Sequence, residues 1–319
     1  MNGVKQGGVL SPILFCIYMD ELLSRLSLAG VGCYVGTRFY GALCYADDLT
    51  LLCPSRRSMN IMLKICEDFA LEYGVKFNST KSVLITYNVE IDVCFMLNNA
   101  PIVQSESALH LGHYIGKDCN QKNISLGFRN LIGRTNTMLY RFSYCSSFIK
   151  STLFKTYCTS YYGCVLWRLD SSAVQKFYVS WRKIIRRIWG LPYRTHCRFL
   201  PILVSENPPE TQLLLRFSKF LFNAINSDNL HVSMCAKLCY FSNTPVAANG
   251  RMLMQQTNNT TVYDKVNLCK LLTHAAKCSA EVQGLGNCLK ELCGIRDGDF
   301  MCDLDSDDIN LIIDNICCT

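Results

Sequence analysis

No uninterrupted apolar run in this 319-residue chain approaches the roughly 18 residues that a membrane-spanning helix needs. The start, Met1-Asn2-Gly3-Val4-Lys5, lacks the basic-then-apolar layout of a secretory signal. No Cys-x-x-Cys occurs, although the cysteines number 20. Cys235-x₃-Cys239 and His274-x₃-Cys278 are the nearest approach to a zinc pattern, and the gap between them is too long for a knuckle. Scattered from Cys16 to Cys318 at apolar positions, the thiols read as reduced and buried, not as a disulfide framework. These absences predict an intracellular protein, in cytoplasm or nucleus, neither secreted nor embedded in a membrane. No internal repeat is visible.

Acidic residues are missing from one stretch above all. Residues 120 to 200 hold fourteen Lys plus Arg against a single carboxylate, Asp170, in a chain whose net charge is only +7. The basic residues include Arg134, Arg141, Lys183, Arg186 and Arg187, interleaved with Phe142, Tyr144, Phe154, Tyr157, Tyr161, Tyr162, Trp167, Phe177, Tyr178, Trp181 and Trp189. A solvated basic face is the plain alternative, but so lopsided a ratio suits a phosphate backbone, and aromatics suit stacked bases.

The most informative stretch is Tyr45-Ala46-Asp47-Asp48. Gly41-Ala42-Leu43-Cys44 precedes it and Leu49-Thr50-Leu51-Leu52-Cys53 follows, so the spacing predicts a β-hairpin with two adjacent carboxylates at its tip. Alone, such a pair reads as a polar turn facing water, because turns are rich in Asp. Carboxylates fixed on a rigid hairpin also suit a hard divalent cation.

Three further blocks flank the hairpin: Gly3-Val4-Lys5-Gln6-Gly7-Gly8-Val9-Leu10-Ser11-Pro12, then Gly74-Val75-Lys76-Phe77-Asn78-Ser79-Thr80-Lys81-Ser82, then His110-Leu111-Gly112-His113-Tyr114-Ile115-Gly116. Ser11 as N-cap and Pro12 at the first helical position predict a helix with Ile13, Leu14, Ile17, Tyr18, Leu22, Leu23 and Leu26 facing a core. Met59, Met62, Ile65, Cys66, Phe69, Ala70 and Tyr73 predict a second, closed by Gly74. His110-x-x-His113 without further ligands is a weak metal pattern.

In this order and at these distances, the four blocks resemble the later palm motifs of a reverse transcriptase, in particular those of non-LTR (LINE-type) retrotransposons. The resemblance covers residues 3 to about 116 and continues more weakly, as a thumb-like region, to about 200. It implies RNA-directed DNA polymerisation on an RNA template and a DNA primer, with deoxynucleoside triphosphates as substrates and two Mg²⁺ (or Mn²⁺) ions as cofactors. By resemblance Asp47 and Asp48 are metal ligands, and Gln6, Gly7, Gly8, Tyr45 and Ala46 line nucleotide and template. Lys81 would sit near the incoming nucleotide, although an exposed loop lysine explains it equally well. Leu111, Gly112 and His113 resemble the primer grip, and Arg134, Arg141, Lys183, Arg186 and Arg187 would contact nucleic acid.

The chain departs from the family pattern in one respect. A further metal-binding Asp, on a strand before the Gly-Gln block, is expected some tens of residues upstream of Gly3, and neither Asp20 nor Asp68 replaces it. The expectation is a C-terminal portion of a reverse transcriptase, inactive alone and poorly soluble because a sheet edge is left uncovered. The alternative is a non-catalytic nucleic-acid-binding remnant acting through the basic thumb.

The expected fold class is α+β: 1–119 a partial palm, a short antiparallel sheet carrying the Asp-Asp hairpin with helices behind it; 120–200 a basic helical thumb; 201–319 a helical region of unknown role. Leu213 to Ile225 predicts a helix, and the Asn-, Thr- and Gln-rich stretch from Ser242 to Thr261 a loop. The final segment, 281 to 319, carries nine carboxylates against two basic residues. Its Asp303-x-Asp305-x-Asp307 lacks the central Gly and closing Glu of a calcium loop, so a helix over Ile309 to Ile316, capped by Asp305 or Ser306, is expected.

Overall fold

The computed structural model describes residues 7–88 and 94–257, so Gln6 and the acidic C-terminal segment lie outside the described residues. Helices and small two-stranded ladders alternate, and the described chain divides into two compact units. One takes in the residues through His110 together with Ile115–Lys117; the other takes in Leu111–Tyr114 and the residues from Asp118 on.

The first unit is built on α1 (Ser11–Leu28) and α2 (Arg56–Tyr73). Met19, Leu22 and Leu26 of α1 meet Met62, Cys66 and Phe69 of α2, and Ala42, Cys44, Leu49 and Leu51 pack on the same core. Arg25 clamps the two helices from outside, its Nη1 and Nη2 donating to Glu72 at 2.6 and 3.1 Å and its Nε to Glu21 at 2.9 Å. The α2 prediction holds at its end, where Gly74 closes the helix at φ +63°, and the structure adds an N-cap at its start, Ser55 Oγ accepting from Ser58 N–H.

Two expectations for α1 change. Its N-cap is Leu10, not Ser11, because Ser11 N–H turns back to Gly8 O at 3.2 Å and joins the first turn with Pro12. Half of its predicted apolar stripe faces no core: Ile13, Leu14, Ile17 and Tyr18 are 60, 46, 63 and 51% exposed. The fully buried core beneath the helix begins at Met19, with Phe15 packed against its edge.

The strands form five two-stranded ladders among the described residues, in place of the single short sheet expected. In the first unit β1 (Tyr34–Val35) pairs with β2 (Arg38–Phe39), and β3 (Ala42–Tyr45) with β4 (Asp48–Leu51), both antiparallel. β5 (Val83–Leu84) runs parallel to β8 (Val103–Gln104), and β6 (Met96–Leu97) antiparallel to β7 (Ala100–Pro101). β9 (Ser107–His110) and β10 (His113–Gly116) are the arms of a further hairpin.

The second unit is helical: α3 (Asn120–Arg141), α4 (Ser147–Tyr157), α5 (Ser172–Trp189), the four-residue α6 (Leu200–Leu203), α7 (Pro209–Ile225), α8 (Leu230–Phe241) and α9 (Pro245–Thr257). One apolar core runs through it from Ile124 to Leu253, with Trp167, Phe177, Trp181 and Phe217 fully enclosed. Where a loop was expected after Ser242, α9 forms instead. Ala247, Ala248 and Leu253 give it a buried face, Gly250 admits the Tyr240 ring, and the polar residues that suggested a loop include Asn249, which is fully buried.

No disulfide joins the described cysteines. Cys66, Cys119, Cys158 and Cys164 are buried as expected, and burial pushes the Cys66 thiol up to about 12. Cys16, Cys94, Cys197 and Cys235 are exposed instead.

Candidate active site and nucleic-acid interface

The period of two in the β3–β4 hairpin decides where each side chain goes. Ala42↔Leu51 and Cys44↔Leu49 face the core, so Leu43↔Thr50 and Tyr45↔Asp48 face out. Asp47 and Ala46 make the two-residue turn, with Ala46 in the left-handed region at φ +51°. Asp47, Asp48 and Tyr45 are all exposed, and neither carboxylate has a basic partner among the described residues. Two hard oxygen donors on a short ladder backed by core are what an octahedral divalent cation takes from a protein that leaves its other positions to substrate and water. Among the described residues, no group of three or more Asp, Glu, His or Cys side chains is placed to hold a metal ion.

Beneath the tip, the Cys44 thiol donates to Ala46 O at 3.2 Å. It is raised chiefly by burial, then by nearby Cys16, Asp47 and Asp48, so it stays a neutral donor under the carboxylates.

The other residues singled out in the first unit stand on built turns. Gly7 is exposed at φ +82°, and Gly8 supplies the carbonyl that Ser11 uses to enter α1. Asn78 organises the Lys81 loop: its Oδ1 accepts from the Thr80 N–H, Thr80 hydroxyl and Lys81 N–H, at 3.0, 2.7 and 3.2 Å. Lys81 is exposed at the tip of that turn. His110 Nε2 lies 3.5 Å from Thr50 Oγ1, linking β9 to β4.

In the second unit, Leu111 and Gly112 both have positive φ, +47° and +75°, as a two-residue primed turn requires. Leucine is an uncommon choice there. Tyr162 braces the turn: its hydroxyl donates to Leu111 O at 2.8 Å, and its ring lies where a Cβ on Gly112 would come within 3.1 Å. His113 is half-buried beside Gly163, and burial lowers its pKa.

The basic stretch sorts into distinct uses. Arg141 and Lys183 are exposed, as is Arg187, which donates to Asn136 Oδ1 at 2.6 Å. Arg186 instead holds the following loop, donating to Thr195 O at 2.8 Å. Arg134 Nη1 donates to Ser160 Oγ at 2.5 Å. Most of the interleaved aromatics prove to be core: Phe154, Tyr161, Trp167, Phe177, Tyr178, Trp181 and Trp189 are buried. Stacking surface is left to exposed tyrosines, Tyr144, Tyr157 and Tyr162, with Tyr140 and Tyr193 added by the structure at 85 and 79% exposure. Only the helical phase of Tyr140, opposite the buried Met138, could have marked it beforehand.

The segment that carries the exposed carboxylate pair, the Gly-rich turn and the first helix is similar in sequence to a known family. Residues 1–115 match the family model described as reverse transcriptase (RNA-dependent DNA polymerase). With the relatives that follow, this makes the matched segment similar to reverse transcriptases of the non-LTR retrotransposon type. It is 42% identical over 80 residues to the Pol polyprotein of the type-2 retrotransposable element R2DM of Drosophila melanogaster, a stretch covering 25% of this chain and 8% of that protein. It is 33% identical over 127 residues to the Pol polyprotein of the type-1 retrotransposable element R2 of Popillia japonica, covering 36% and 18%. A type-1 R2 element of Nasonia vitripennis gives 39% over 80 residues. The chain thus aligns with less than a fifth of the length of these curated relatives.

Proposed function

We propose that this chain contributes the Asp-Asp hairpin, primer-side turn and helical thumb of an RNA-directed DNA polymerase. The observation that carries the reading is the outward placement of Asp47 and Asp48 at the tip of β3–β4, inside the segment that matches the reverse transcriptase family.

Asp47 and Asp48 would hold divalent cations, Mg²⁺ or Mn²⁺, with Asp47 the principal ligand. When bound, two such ions stabilise the attacking 3′-oxygen of a primer and the departing phosphate oxygens. The chain's own residues do the positioning, which is most of what phosphoryl transfer asks of a protein. Tyr45 presents its ring on the same outward face as Asp48. Lys81 offers a cation for the departing phosphates. Gly7 and Gly8, together with Gln6 outside the described residues, leave backbone open toward nucleotide and template. The Leu111–His113 turn holds the primer end. Arg134, Arg141, Lys183 and Arg187 neutralise backbone phosphates, while Arg186 contributes through the loop it anchors.

We infer further that polymerisation needs one more carboxylate, from polypeptide outside the described residues. The test is extension of a DNA primer on an RNA template, by the 319-residue chain and by the same chain joined to an upstream segment that carries the expected Asp-bearing strand. Divalent-dependent extension by the longer polypeptide alone is expected. Extension by the 319-residue chain itself would overturn the requirement.

A second reading, binding without catalysis, is favoured by the single carboxylate among fourteen basic residues in 120–200. It predicts salt-sensitive hybrid binding and no extension by either polypeptide.

A further inference from the structure

Three helices of the second unit, α3, α4 and α5, contain no Asp or Glu. Lys176, Lys183 and Arg187 stand at i, i+7 and i+11, on one exposed stripe of α5. Arg187 Nη1 donates to Asn136 Oδ1 at 2.6 Å, which joins that stripe to the outward side of α3. Arg129, seven residues before Asn136, and Tyr140, four residues after it, continue the same side and are exposed. The two stripes make one basic face.

No carboxylate among the described residues pairs with Arg129, Lys176, Lys183 or Arg187. Where a carboxylate is at hand in this unit it is used: Arg168 pairs with Asp170, and Arg182 with Glu210. Lys183 and Arg187 are moreover like charges one turn apart, an arrangement that destabilises a helix until an anion lies across it. From Lys176 to Arg187 the stripe runs about 16 Å along the helix, the span of an extended polyanion and not of a single carboxylate.

The chain itself carries such a polyanion. Asp297, Asp299, Asp303, Asp305, Asp307 and Asp308 follow one another with no basic residue between them, in a final segment of nine carboxylates against two basic residues. Residues 258–280, between α9 and that segment, extend to about 80 Å at most. A domain of this size is about 40 Å across, so every side of the unit is within reach. Tethering of this kind gives an effective concentration on the order of millimolar, which a free competitor has to exceed.

We propose that the acidic segment, residues 297–308, docks on the α3–α5 basic face and that nucleic acid has to displace it. The proposal rests on the reading of that face as a nucleic-acid surface and adds its regulation. The carboxylates stand in for backbone phosphates. A short single strand that offers the face only a few phosphates loses to the tethered segment, whereas a hybrid that gains further contacts elsewhere on the chain displaces it.

The test uses the full chain and a zero-length carbodiimide, which joins a carboxylate to a lysine amine only where the two touch. Without nucleic acid, links from 297–308 should fall on Lys176 and Lys183 and not on Lys76 or Lys81, with a yield unchanged by dilution. A hybrid of RNA template and DNA primer should abolish them. Asp303→Asn, Asp305→Asn, Asp307→Asn and Asp308→Asn together should tighten hybrid binding by on the order of tenfold at low salt. The fall of log K with log salt should steepen in that variant, and the two forms should converge at high salt. Links spread evenly over the lysines, links that vanish on dilution, or equal affinities of the two forms at low salt overturn the docking and leave the polymerase reading intact. A hybrid that binds neither form overturns both.

Discussion

Tyr45 and Asp48 are the last Cα partners of the β3–β4 ladder, and both project to the outward face while their neighbours Cys44 and Leu49 turn inward. That pairing places Asp48 beside an aromatic ring and leaves Asp47 in the turn, so the two carboxylates are adjacent in sequence but held differently. Asp48 is fixed by strand register, whereas Asp47 is fixed by a turn that costs Ala46 a positive φ. Ala46→Gly should therefore fold with unchanged or slightly higher stability. Ala46→Val should lose about 1–2 kcal/mol, because a β-branched residue resists that conformation more. Urea midpoints of the two variants check this.

Gly163 carries φ +74°, and a Cβ there would lie 2.7 Å from His113 Nδ1. Gly163→Ala should cost on the order of 2 kcal/mol, combining left-handed strain with displacement of the ring. Combining it with His113→Ala should recover only the steric part. A double-mutant cycle by chemical denaturation measures the split.

Asn249 joins segments far apart in the second unit. Its Oδ1 accepts from Leu169 N–H at 2.9 Å and its Nδ2 donates to Trp167 O at 2.7 Å, in a fully buried setting. Asn249→Ala strands both groups and should destabilise by about 2–5 kcal/mol. Asn249→Asp keeps an acceptor for Leu169 but sets a carboxylate against Trp167 O, and should be no better at neutral pH. Thermal unfolding ranks the variants.

Burial raises Glu206 above the usual carboxylate range, against the opposing pull of the Gln212 amide and of Lys155 and Arg216. A raised folded-state pKa contributes stability that is fully present below the ordinary carboxyl range and lost as pH rises through the folded value. Glu206→Gln keeps an acceptor for Gln212 and removes the charge. It should match the wild type near about pH 4 and exceed it near about pH 8. Denaturation at the two pH values tests the sign.

Local signals were legible where sequence and packing coincide. The Asp-Asp hairpin, α2 with its Gly74 cap and the helix around Leu213–Ile225 all follow from period and turn chemistry. The α1 stripe was half misread, because periodicity shows which residues share a face but not what covers it. The aromatics of α5 misled in the opposite direction: Trp181 directly precedes Arg182 and Trp189 lies two residues after Arg187, yet helical phase sends both into the core. The α9 segment looked like a loop by composition, and only its tertiary partners, Tyr240 above all, account for the helix. Gly112 and Arg134 were singled out from the sequence, but that they meet beside Asn130 and Ser160 follows only from folding.

The most direct test of the central claim separates binding from chemistry at Asp47. With the chain joined to an upstream segment that carries the expected Asp-bearing strand, Asp47→Asn should bind a template–primer hybrid as the wild type does but lose extension by on the order of a thousandfold, equivalent to several kcal/mol of lost charge stabilisation. Extension within a few fold of wild type in Asp47→Asn would contradict the account.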